Sequence, residues 1–378
     1  APPVEEFALF QLSATPVDFI AACGVTCDVD YEVDWGDGTY IPYTAGRNDV
    51  VPTGDITVRS DNTVTTFSLN TDTYSAIDVQ QSSSITSLQF SFISLSNLTT
   101  FDIADTSLVT DFSYAWLGCS SLTSFPLIDT SAGTIFTGAW RDCTGLTSFP
   151  EIDTSAGIMF NICWQGCTGL TSFLPTNFNA ATNLFNTWQN CSSLTSFPLI
   201  TLTATAFSST WSACSSLTSF PLIDTSTVTD FNSAWNGCSS LTSFPLIDTS
   251  NGTLFQNTWK ACSSLSEFPL INTAKATWLI STWENCIGLT GFPLINTPLV
   301  TSISGGWSNC SGLTSFPEID FSSVLAMPGF SGCSGLTSFP PINNSIATNF
   351  FNMFKDCTSL VCLSSINTTS QTFTTGMF

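Results

Sequence analysis

The sequence predicts an α/β repeat solenoid: a right-handed coil of about twelve repeats of 23–24 residues behind a small N-terminal β-domain. Three observations carry this reading. A cysteine recurs eleven times from Cys119 to Cys357, always 23 or 24 residues after the last. The string CSSLTSFPLI stands letter for letter after four of the recurrences, at Cys119, Cys191, Cys214 and Cys238. A tryptophan column with the same period runs from Trp116 to Trp307 and continues as Phe330 and Phe354. A fixed period in the twenties means that each repeat is one coil, able to bury its apolar face only by stacking on its neighbours.

Residues 1–83 do not repeat, and they are expected to form the β-domain. Phe7 to Phe10 alternates weakly. Val29 to Trp35 places Val29, Tyr31, Val33 and Trp35 on one face of a strand, and Gly36-Asp37-Gly38 turns the chain. Ile56 to Arg59 and Val64 to Leu69 read as further strands. From Ser84 the period takes over through 378, with Leu98, Phe101, Ile103 and Thr106 already in register and Leu95 in place of the cysteine. Terminal repeats are commonly degenerate in this way.

Each coil reads as two halves. Leu122, Phe125 and Leu127 spell L-x-x-L-x-L, the strand signature of leucine-rich repeats. Val109, Phe112, Trp116 and Cys119 are spaced three, four and three apart, which puts them on one face of a short helix. Its Ser, Thr, Asn and Gly are poor helix formers, so only burial of Phe and Trp would hold it. The tryptophan and cysteine columns are accordingly assigned to the core. Proline follows the strand phenylalanine in nine coils, from Pro126 to Pro340. Proline has no N–H for a sheet ladder. Either the strand is only Leu-Thr-Ser-Phe or each coil gives up one hydrogen bond, and very short strands kinked at proline are expected.

Two resemblances follow from these residues. V-D-W-G-D-G-T (Val33 to Thr39) and P-T-G-D-I-T-V (Pro52 to Val58) resemble the signature and closing strand of PKD-like immunoglobulin-type β-domains. Cys214, Leu217, Phe220, Asp224, Thr225, Ser226, Val228, Thr229, Phe231, Trp235 and Cys238 match the repeat of BspA-like leucine-rich-repeat surface proteins, with Phe and Trp where that family has Met and Phe. The second resemblance covers about 290 residues. It implies a cell-surface, secreted or phage-fibre protein that displays and binds, with no shared catalytic residue.

Composition narrows the function. Six basic residues against 28 acidic ones give a net charge of −22, which argues against nucleic acid and anionic membranes as partners. No run approaches the ~18 apolar residues of a membrane-spanning helix, so direct membrane insertion is not expected. Charged residues are only 9% of the chain, leaving Ser, Thr, Asn and Gly to cover the surface. The chain contains no histidine, which removes the commonest general base and catalytic metal ligand. A carboxylate-based glycan-cleaving enzyme is the alternative to a non-catalytic scaffold. The carboxylates, however, occupy equivalent repeat positions where Asn272, Asn296, Asn343 and Asn367 substitute, which suits a turn better than an acid–base pair.

That same column supplies the calcium candidates Asp129, Asp153, Asp224 and Asp248, whose carboxylates would lie ~4.8 Å apart between adjacent coils. No other cofactor is expected. Cys23 and Cys27, outside the repeats, are the pair expected to bond; C-x3-C is also half of a zinc site, although no second pair lies nearby. The column cysteines are read as buried free thiols. Thr123-Ser124, Thr147-Ser148, Thr195-Ser196, Thr218-Ser219 and Thr242-Ser243 form a flat hydroxyl array suited to polysaccharide or even ice, and equally to a plain polar strand face. The array stops short of another cysteine after Cys357, so another copy of the chain or another structural protein is expected to cover its C-terminal end, which would allow fibre or coat assembly.

Overall fold

The computed structural model describes residues 10–13, 23–27, 31–34, 39–44, 46–50, 56–59, 66–70, 76–79 and 84–377, apart from 175–176, 328, 365 and 367–376. Residues 1–181 and 182–378 form two compact units.

The first unit opens with eight short strands: β1 (Phe10–Ser13), β2 (Cys23–Cys27), β3 (Tyr31–Asp34), β4 (Tyr40–Tyr43), β5 (Gly46–Val50), β6 (Ile56–Arg59), β7 (Phe67–Asn70) and β8 (Ala76–Val79). A ninth strand, β9 (Thr100–Ile103), already belongs to the repeats. Six of them form a sheet in the order β4-β3-β6-β1-β8-β9, and β5-β2-β7 form a second. In β3 the expected alternation holds where it is described: Tyr31 and Val33 are buried, while Glu32 and Asp34 are half-buried. Trp35 to Gly38, the heart of the W-G-D-G-T resemblance, lie outside the described residues. All pairings are antiparallel except β8–β9, where Ile77 faces Phe101 in parallel register. The larger sheet therefore runs from the β-region into the first coil and does not stop at residue 83.

In both units the coils stack as a repeat domain with buried Cys, Trp and Phe every 23 or 24 residues. Parallel bridges fix the register: Ser87 to Asp111 to Ile135 to Met159 in the first unit, and Ala206 through Asp230, Leu254, Trp278, Ser302 and Ala326 to Asn349 in the second. In-register stacking places like on like. Trp116 and Trp140 stack at 5.5 Å between ring centroids, and Trp211, Trp235 and Trp259 continue at 5.5 and 5.8 Å. Each indole also meets a phenylalanine edge to face, as Trp235 meets Phe244 at 4.8 Å, a favoured aromatic geometry.

The expected helix is absent: among the described residues there are only turns where it was placed. Two residues per coil, four apart, have positive φ, for example Tyr114 and Gly118, Ser209 and Ala213, Ser233 and Gly237. An α-helix needs φ near −63° throughout. The backbone instead alternates two kinds of bond. The N–H groups of Phe112, Tyr114, Trp116 and Gly118 donate to Ile135, Thr137, Ala139 and Arg141 in the next coil. Those of Ala115, Leu117 and Cys119 turn back to the carbonyls of Phe112, Tyr114 and Trp116. The apolar spacing of three and four buries the same face that a helix would, so spacing could not tell the two apart.

The other half of the coil also differs from the L-x-x-L-x-L expectation. Leu122 and Phe125 are buried as expected, but the third inward residue is Ile128, while Leu127 is 73% exposed. In the second unit the cause is visible. The carbonyl of Pro221 accepts from the N–H of Ile223 at 3.0 Å, and the same bond recurs from Pro245 to Ile247, Pro269 to Ile271, Pro293 to Ile295 and Pro317 to Ile319. A bond closing over three residues is a γ-turn, and it rotates the middle residue outward. Proline also explains the scarcity of strand here. β9 forms in a coil with Asp102 where later coils carry proline, so the N–H needed for the ladder is present.

Candidate functional site

The face carrying Thr-Ser-Phe-Pro-Leu-Ile presents columns of like residues at coil spacing. Thr123, Ser124, Thr147 and Ser148 are exposed in the first unit; Thr195, Ser196, Thr218, Ser219, Thr242 and Ser243 are exposed in the second. The threonine column of the second unit continues through Ser266, Thr290, Thr314 and Thr337. Its hydroxyls do not swing freely. Thr218 Oγ1 donates to the Thr195 carbonyl at 3.2 Å, Thr242 to Thr218 at 3.3 Å and Thr314 to Thr290 at 3.2 Å. Thr147 donates to Thr123 in the same way at 3.2 Å. Each bond fixes the rotamer, holds the methyl group in one direction and leaves the oxygen's lone pairs available to a ligand.

Beside the hydroxyls stands a leucine column, set out by γ-turns at Leu222, Leu246, Leu270 and Leu294. Leu199, Leu222, Leu246, Leu270 and Leu294 stand on five successive coils, each 59–64% exposed. The sequence marked the Thr-Ser pairs, but it placed this leucine row inside. The resulting face is uncharged along its hydroxyl and leucine columns, apart from Glu151, Glu267 and Glu318, and it alternates fixed hydroxyls with apolar ridges.

The acidic column has a structural task. Asp224 Oδ1 accepts the Ser226 N–H at 2.9 Å, Asp248 that of Ser250 at 2.8 Å, and Asp153 that of Ser155 at 2.9 Å. Asp129 holds both the N–H and the hydroxyl of Ser131, at 2.9 and 2.7 Å. Asn272 does the same for the Ala274 N–H at 3.0 Å, which explains why Asp and Asn interchange. Among the described residues, no three acidic, cysteine or histidine side chains gather as a metal site.

These bonds hold the carboxyls below the ordinary carboxylate range. The Ser131 hydroxyl is the main cause at Asp129, and the backbone N–H of Ser226 and Ser250 is the main cause at Asp224 and Asp248. A depressed folded-state pKa stabilises the fold above the unfolded value and loses that stabilisation as pH falls. The melting temperature should therefore be flat down to about pH 5 and decline below about pH 4, the unperturbed carboxylate range. Asp224→Asn should leave stability nearly unchanged, whereas Asp224→Ala should cost about 1 kcal/mol, one side-chain hydrogen bond, in chemical denaturation.

The sequence reading missed the threonine after this aspartate. Thr106, Thr130, Thr225, Thr249 and Thr273 are buried, and their hydroxyls donate to the next coil's backbone, as Thr130 does to Asp153 at 2.6 Å and Thr249 to Asn272 at 2.7 Å. A signal was present: Phe178, Leu202 and Phe321 replace this threonine in other coils, which marks an interior position.

The column cysteines form no disulfides. Column thiols donate to the carbonyl of a column aromatic one coil back, for example Cys143 to Trp116 at 3.1 Å and Cys262 to Trp235 at 3.2 Å. Burial pushes the thiols of Cys214 and Cys310 up to about 12, so they stay protonated. Titration of the unfolded, unreduced protein should find these column thiols free, and the same reagent should fail to reach Cys143 to Cys310 in the folded chain. Cys23 and Cys27 are the first and last residues of β2, paired throughout with β5. Four residues of extended strand separate their Cα atoms by about 13 Å, whereas a disulfide spans at most ~7 Å. The bond expected between them does not suit this strand.

No family model matches the chain, and no curated protein matches it.

Proposed function

We propose that the chain is a non-catalytic scaffold displayed outside the cell or on a virion, a right-handed repeat solenoid that recognises a surface glycan. The single observation carrying this reading is the face built of fixed threonine hydroxyls beside exposed leucines. A sugar ring has hydroxyl edges and apolar C–H faces, and this surface offers a counterpart to each. Repetition at coil spacing suits a polymer, which gains by engaging several coils at once. The low charge of these columns suits a neutral polysaccharide. The interchangeable Asp and Asn column, tied up in turns, supports binding without turnover.

A glycan array combined with a product assay tests this reading. Binding of a neutral polysaccharide without release of shorter products is expected. The double substitution Thr218→Ala with Thr242→Ala should weaken it about tenfold or more, since two oriented hydroxyls are lost from the centre of the face. Release of shorter products would favour the glycan-cleaving alternative. Retention of full affinity by the double variant would remove the face from the proposal.

A further inference from the structure

On most coils of the second unit the outward threonine is followed by serine, as at Ser196, Ser219, Ser243, Ser315 and Ser338. Two successive coils break this rule with Glu267 and Gly291. The Thr290 N–H donates to the Ser266 carbonyl and the Thr314 N–H to that of Thr290, both at 3.3 Å, so Glu267, Gly291 and Ser315 stand side by side at coil spacing. The fold does not require glycine at 291. Its φ lies outside the left-handed region, and a Cβ there would meet no atom within 4 Å. Gly288 on the same coil is different, since a Cβ would press on the Ser263 carbonyl oxygen at 2.7 Å. Loss of the serine side chain leaves a notch in the hydroxyl face. Phe292 is half-buried beside it, whereas Phe268 and Phe316 on the flanking coils are 8% and 6% exposed. Trp283 and Trp307 hold the Phe292 ring edge to face at 4.8 and 5.2 Å, so the notch is preformed. Glu267 is exposed on one side of it and Ser315 on the other.

We propose that Glu267, Gly291 and Phe292 form a subsite for the acetamido group of an N-acetylated sugar, so that the polymer recognised by the hydroxyl face is an N-acetylated polysaccharide; this rests on the glycan-binding reading of that face. An acetamido group brings an N–H donor and a methyl group together. The Glu267 carboxylate accepts from the N–H in a charge-assisted hydrogen bond. The methyl enters the space that serine fills on other coils and covers the accessible edge of Phe292, away from water. A plain hydroxyl in the same place satisfies Glu267 but leaves the phenylalanine edge wet. A free ammonium pairs with Glu267 but loses hydration against the apolar ring, which offers it nothing in return. Only the acetamido group matches both sides of the notch. The N-acetylated polymer is also neutral, as the low charge of the hydroxyl and leucine columns requires.

Calorimetric titration of the full chain with β-1,4-linked oligomers of N-acetylglucosamine, glucose and glucosamine, equal in length, tests the subsite. The N-acetylglucosamine oligomer should bind about tenfold or more tightly than either of the others, the difference made by a hydrogen bond to a charged group. Gly291→Ser fills the notch with the residue of the other coils, and Glu267→Ser removes the acceptor in the same way. Each should bring the affinities for the N-acetylglucosamine and glucose oligomers to within about twofold of each other. Gly291→Ala, which fills the notch without adding a hydroxyl, should act as Gly291→Ser does. Equal binding of the acetylated and plain oligomers, tightest binding of the glucosamine oligomer, or a preference that survives Gly291→Ser would overturn the subsite and leave the glycan-binding face standing. Failure of all these oligomers to bind would also overturn it. The glycan array then judges the face by itself, and silence there as well would remove both.

Discussion

Trp235→Ala is expected to destabilise the second unit by about 3–5 kcal/mol, the cost of truncating a large buried aromatic in a packed interior. Trp235 is fully buried between Trp211 and Trp259, with Phe220 and Phe244 edge-on at 5.1 and 4.8 Å. Removing it breaks both stacks and leaves a cavity that the rigid neighbouring coils cannot close. Because each coil's stability depends on its neighbours, the loss should also split a cooperative denaturation into two steps. Trp235→Phe should cost much less. Phe330 already continues the column, stacked on Trp307 at 5.3 Å and 2°. The Trp235 indole N–H is moreover buried without an acceptor, so phenylalanine removes an unsatisfied donor while it loses area. Urea denaturation followed by fluorescence and circular dichroism reads both variants, and an unchanged transition in the alanine variant would refute the assignment of this column to the core.

Ile247→Ala should cost about 2–5 kcal/mol, whereas Leu246→Ala, one residue away, should stay within about 0.5 kcal/mol. The contrast rests on the γ-turn from Pro245 to Ile247, which leaves Ile247 2% exposed and Leu246 61% exposed. A leucine-rich-repeat strand would give the opposite order, with the leucine inside. The pair of variants, measured in the same denaturation experiment, therefore separates the two registers. A large loss in Leu246→Ala would restore the strand register.

The repeat, its period and most of its interior were legible in the residues. The columns of Leu122, Phe125, Trp116 and Cys119 are buried apart from the half-buried Phe292, Cys357 and Leu360, because a side chain repeated at one spacing must stack on its own copies. The hydroxyl face was legible too, since Thr and Ser that recur beside an inward phenylalanine have only the outward direction left. What the sequence could not decide is how the backbone reaches those positions. Apolar residues three and four apart suit a helix and a chain of turns equally, and the choice fell to carbonyls one coil away, which draw out the N–H groups of Tyr114 and Trp116 that a helix would keep for itself. Leu246 and Ile247 are similarly indistinguishable by hydrophobicity; the proline carbonyl selects between them by capturing the isoleucine N–H. The burial of Thr249 likewise depends on an acceptor, the Asn272 carbonyl, 23 residues further along the chain. Residue spacing alone shows which side chains form columns; which backbone bonds hold them emerges only from packing, because those bonds are made between coils.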